Sequence, residues 1–166
     1  MTSMHDRDKR SAFPFPASTV HDAGMSSNAE LHLRRGVRAG VTWPAAPAER
    51  PPLVVLARAG GDADPHLARE LAARVPAVVL AVAAGGARET LEWGADHAAE
   101  LGADPGRIVL AGEHRGATEI AALAREARDR GWPRIAQVVL FHPGSTELGA
   151  LAALFRIALR RSGAGG

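Results

Sequence analysis

"RIVLAGEHRGATEIAALA", Arg107–Ala124, decides the fold. Ile108–Ala111 is apolar without a break, the composition of a strand buried on both faces. Gly112 and Gly116 then bracket Glu113, His114 and Arg115. Beyond them Ile120, Leu123, Ala124 and Ala127 recur at helical spacing, predicting a helix over 117–130. A strand handed to a helix through small residues is the joint of a parallel α/β sheet.

The same joint repeats outward. "LVVLA" (53–57), "AVVLAVA" (77–83) and "AQVVLF" (136–141) are further uninterrupted apolar runs. Between them lie two more helical segments. In the first, Asp64 caps, Pro65 sits in the first turn, and Leu67, Leu71 and Val75 share a face. The second, 87–101, aligns Leu91, Ala95, Ala98 and Leu101. Upstream, Glu30–Arg35 and Val37–Trp43 alternate and turn near Arg35–Gly36, which predicts an antiparallel hairpin. The expected architecture is three-layer α/β/α: a mostly parallel sheet of about six strands, its first two antiparallel. Residues 1–28 are expected as a flexible arm, 29–162 as one domain and 163–166 as a flexible tail. Residues 146–161 predict a last helix with an apolar stripe through Leu148, Leu151, Ala152, Phe155 and Leu159.

Composition narrows the chemistry. Cysteine is absent, which removes disulfides, thiolate metal sites and a thiol nucleophile. The isoelectric point near 10.3 sits beside a net charge of only +2, because all but one of the 20 basic residues are arginine. A high value reached in this way is no basic face, so nucleic acid is not expected as a partner. No apolar run approaches the ~20 residues of a membrane span, and the N-terminus lacks the apolar core of a signal peptide. A cytoplasmic protein is expected. His97 and Glu100 lie three apart on a helix, but two such residues predict a solvated face rather than a metal site. No metal and no cofactor are expected.

Three stretches carry a resemblance. "LEWGADHAAELGADPGRIVLAGEHRGATEIAALA" (91–124), "PPLVVLARAGG" (51–61) and "QVVLFHPG" (137–144) are similar, in order and spacing, to the α/β-hydrolase fold and within it to the hormone-sensitive-lipase-like esterases. The first resembles that family's nucleophile elbow, G-x-S-x-G, and the second the strand that leads into its His-Gly-Gly-Gly oxyanion loop. The resemblance implies a carboxylic-ester hydrolase. Four departures stand against it. His114 occupies the place of the serine, and Arg58 that of the histidine leading the oxyanion loop. "AAGGAR" (83–88) replaces the family's extended motif after the fourth strand. Only 52 residues follow His114, leaving little room for the family's acid and base.

The expected function is therefore that of an esterase-like scaffold acting as a binding or interaction module. Arg58, Gly60, Gly61, His114 and Arg115 are the candidate site, gathered at strand ends beside a helix N-terminus where an anionic small molecule would bind. His114 is otherwise read as a residue type that tolerates positive φ, and Glu113, its neighbour, as pointing away from it on the turn. The alternative is a small ester hydrolase with a non-standard nucleophile, His114 itself or Ser145. An apolar last strand at a sheet edge also predicts a homodimer, through 136–141 or through the helix 146–161.

Overall fold

The computed structural model describes residues 27–45, 48–59 and 65–141, together with Ala153, Arg156, Ile157 and Arg160. Six strands form one sheet: β1 (Asn28–His32), β2 (Arg38–Thr42), β3 (Pro52–Arg58), β4 (Val78–Ala83), β5 (Asp104–Glu113) and β6 (Ile135–Phe141), in the order β1-β2-β4-β3-β5-β6. β1 and β2 pair antiparallel, as do β2 and β4, whereas β4-β3-β5-β6 is parallel throughout. The hairpin turns through Arg34–Gly36, with Arg35 and Gly36 at φ 58 and 71, the left-handed conformation that a reversal this tight needs.

Helices cover both faces, so the three layers expected from the apolar runs are present. α1 (Pro65–Arg74) packs Leu67 and Leu71, with Val75 just beyond its end, against Val54, Leu56, Val79 and Val109. On the opposite face α2 (Ala87–His97) and α3 (Arg115–Arg130) bring Leu91, Ile120 and Leu123 onto Leu53, Val55, Leu80 and Leu110. Successive residues of β3 thus alternate between two cores, which is why the strand reads as unbroken apolar sequence. Each such buried aliphatic side chain contributes roughly 1.5–3 kcal/mol.

Three boundaries differ from expectation. α2 ends at His97, and the chain winds on through turns to Gly102 at φ 78, where only glycine is at ease. β5 starts at Asp104, because Asp104 lies against Pro52 and its N–H donates to the Pro51 carbonyl at 2.8 Å. α3 starts at Arg115, since the whole reversal is made at one residue, His114. The expected helix 146–161 lies largely outside the described residues; within it, Arg156 donates to the Arg74 carbonyl at the end of α1, at 3.0 and 3.2 Å. No helix among the described residues is long and apolar enough to cross a membrane.

Candidate functional site

The β5–α3 joint is built by close approach. A Cβ on Gly116 would run into the Ala57 carbonyl, and one on Gly112 would come within 2.6 Å of the Ala117 Cα. With both side chains absent, α3 can start almost on top of β3 and β5. The price of this compactness is borne by His114, at φ 54 and ψ −116. That is the first central position of a type II′ turn, normally held by glycine. It is not the left-handed helical region that histidine enters with some ease, so tolerance of positive φ does not account for this residue. The His114 carbonyl accepts from the N–H groups of Ala117 (3.0 Å) and Thr118 (3.4 Å), which starts α3 without a side-chain cap. Its side chain is exposed, at the apex of the turn.

Parallel register places Ala57 beside Gly112, so the next residues, Arg58 and Glu113, emerge together at the C-terminal ends of β3 and β5. Arg58 Nε donates to Glu113 Oε2 at 2.6 Å, with the two side chains 23% and 11% exposed. The Glu113 carboxylate thus lies against Arg58, one of the expected site residues. The Arg58 carbonyl in turn accepts from the Ala84 N–H at 2.7 Å, tying the β4–α2 loop to the same place.

The structure therefore brings Arg58, His114 and Arg115 to one end of the sheet, with Arg115 exposed in the first turn of α3. Gly60, Gly61 and Ser145 lie outside the described residues. Two carboxylates escaped sequence reasoning. Glu113 pairs only because register sets it beside Arg58. Glu119, one turn into α3, accepts from the N–H groups of Gly85 (2.7 Å) and Ala87 (3.0 Å) and so caps α2 from outside. A signal for it existed, because Gly86 at the N-cap has no side chain to do this itself.

His97 stacks on Trp93, with ring centroids 4.4 Å apart, and its Nδ1 lies 2.8 Å from the Trp93 carbonyl oxygen. Among the described residues no three His, Asp or Glu side chains come close enough to hold a metal ion.

Comparison with known proteins gives the same picture of the scaffold. A profile of the alpha/beta hydrolase fold matches residues 60–155. Carboxylesterase NlhH of Mycobacterium tuberculosis is 33% identical over 121 residues, which are 62% of this chain and 38% of that protein. EstE1, a thermostable carboxylesterase cloned from a metagenomic library, superposes with a TM-score of 0.62 at 28% identity, over 70% of this chain and 46% of its own. A hyperthermophilic esterase from the archaeon Pyrobaculum calidifontis superposes at 0.59 and 28%, over 81% and 55%. The chain thus spans well under two thirds of the length of these relatives.

Proposed function

The chain belongs to the alpha/beta hydrolase fold family, and from that premise we propose that it uses an esterase-like scaffold as a cytoplasmic binding module for an anionic small molecule, without acyl transfer. One observation carries the reading: the elbow backbone is intact, and its apex presents the His114 imidazole where acyl transfer needs a hydroxyl. An imidazole can itself attack an acyl group, but it needs an orienting partner and an acid for the leaving group. Binding asks less of the same parts. The first turn of α3 directs N–H groups and a partial positive charge outward, and Arg115 adds a guanidinium.

The test pairs a ligand screen with an activity assay. Under this reading, dicarboxylates or phosphate esters raise the melting temperature of the intact protein. At a ligand concentration of a hundred times Kd, the stabilisation is about 2.7 kcal/mol. His114→Ala with Arg115→Ala removes that shift without lowering the ligand-free melt. The relatives' names favour a second reading, a carboxylic-ester hydrolase. Nitrophenyl acetate turnover above background, with fluorophosphonate labelling mapped to Ser145 or turnover abolished by His114→Ala, would establish that reading and end the first.

A further inference from the structure

Beside Arg58, β4 ends at Ala83, and residues 84–86 lead from it into α2. Packing shapes this short loop closely. Gly85 sits at φ 100, and a Cβ on Gly86 would come within 2.8 Å of the Val37 and Val82 side chains. Glycine at the N-cap leaves the first N–H groups of α2 with no side chain of their own to meet them. Glu119 of α3 meets them instead: Oε2 accepts from the Gly85 N–H at 2.7 Å and Oε1 from the Ala87 N–H at 3.0 Å. These are charge-assisted bonds at the positive end of a helix, where a carboxylate is favoured.

The same carboxylate has a rival partner. Arg115 lies four residues earlier on α3, and side chains four apart share a helix face, with Cβ atoms about 5–6 Å from each other. Arg115 is exposed and Glu119 half-buried, and among the described residues no ion pair joins them. A helical pair with the cation first is the weaker orientation, so two backbone N–H groups held in place by a tight loop outcompete it. The one carboxylate on this face that could neutralise Arg115 is therefore engaged by the loop.

We propose that Glu119 is the positioning residue of the anion site. Seated on the β4–α2 loop, it leaves the Arg115 guanidinium to the ligand; released from the loop, it turns to Arg115 and neutralises it. The inference rests on the reading of this end of the sheet as an anion site. Loop and arginine compete for one carboxylate, so ligand binding and loop seating reinforce each other, by the same factor in both directions.

Amide hydrogen exchange of the full chain at Gly85 and Ala87 tests this. Without ligand, Arg115→Ala removes the competitor and slows both amides about twofold, the strength of an exposed helical ion pair. In Glu119→Gln, which keeps one acceptor oxygen and no charge, both amides exchange faster, and adding Arg115→Ala changes nothing further. Phenyl phosphate or succinate, whichever raises the melting temperature of the parent, slows the same two amides in the parent and not in Glu119→Gln. Should Glu119→Gln lose its cooperative melt, the ligand's effect on the parent's amides decides. If neither anion shifts the melt, the binding reading falls and this proposal with it. If an anion raises the melt but leaves Gly85 and Ala87 exchange unchanged, that reading stands and the coupling alone is overturned. Equal slowing by Arg115→Ala with and without the Glu119 carboxylate overturns it too, since competition for that group would then be absent.

Discussion

At the end of β5 the backbone of α3 approaches so closely that two glycines are obligatory, while directly beside Gly112 on β6 the Leu140 side chain stands half in solvent. Both regions belong to the same sheet, in adjacent strands. In the joint, packing from β3, β5 and α3 over-determines the backbone, and the apex side chain, His114, is exposed. Chemistry at the apex can therefore change while the shape beneath persists. On β6 the Leu140 side chain is half exposed. The joint shows how tightly packed backbone leaves its mark on sequence as glycine, and β6 shows a strand whose side chains are held less closely.

Substitutions can break that contrast, and the largest effect belongs to the joint. Gly116→Ala places a Cβ 2.5 Å from the Ala57 carbonyl carbon; urea unfolding should show a loss of about 3 kcal/mol or more. Gly40→Ala on β2, where an added Cβ meets nothing within 4 Å, is the control and should stay within about 0.5 kcal/mol of the parent. Next is Glu113→Ala, which removes the carboxylate facing half-buried Arg58 and should cost about 2 kcal/mol in the same measurement. Glu113→Gln, which keeps an acceptor oxygen there, should cost less. His114→Gly should act in the opposite sense, stabilising by about 1 kcal/mol because glycine adopts this turn conformation without strain. A destabilised His114→Gly would mean that the imidazole makes contacts outweighing its backbone cost.

On β6, Leu140→Lys should leave stability within about 0.5 kcal/mol of the parent. A larger loss would show that β6 is as closely packed as the joint. The smallest effect concerns pH. The hydrogen bond from Arg88, with the Arg130 charge nearby, holds the Glu126 carboxyl below its ordinary range and ties α2 to α3. A carboxyl depressed on folding stabilises at neutral pH, and that contribution is lost as pH falls through its lowered value. Arg88→Met should thus lower the melting temperature slightly at pH 7 and leave it unchanged in strong acid.

How much of this is legible in the sequence depends on how local each cause is. The strands were readable because burial on both faces erases alternation, as in Leu53–Ala57. The joint was readable because Gly112 and Gly116 bracket it. Strand order was not, since β3 is flanked by β4 and β5 through crossovers that leave no trace in local composition. For the same reason the role of Glu113 stayed hidden: its partner Arg58 lies 55 positions away and meets it only through register.

The connections leaving β3 and β5 pass to opposite faces of the sheet, α1 to one and α3 to the other. Neighbouring strands that part company in this way open a cleft at their carboxyl ends, a switch point in the winding. Here the Arg58–Glu113 bridge spans that cleft like a clasp. Any guest that reaches between the two strands must prise the clasp apart or settle above it.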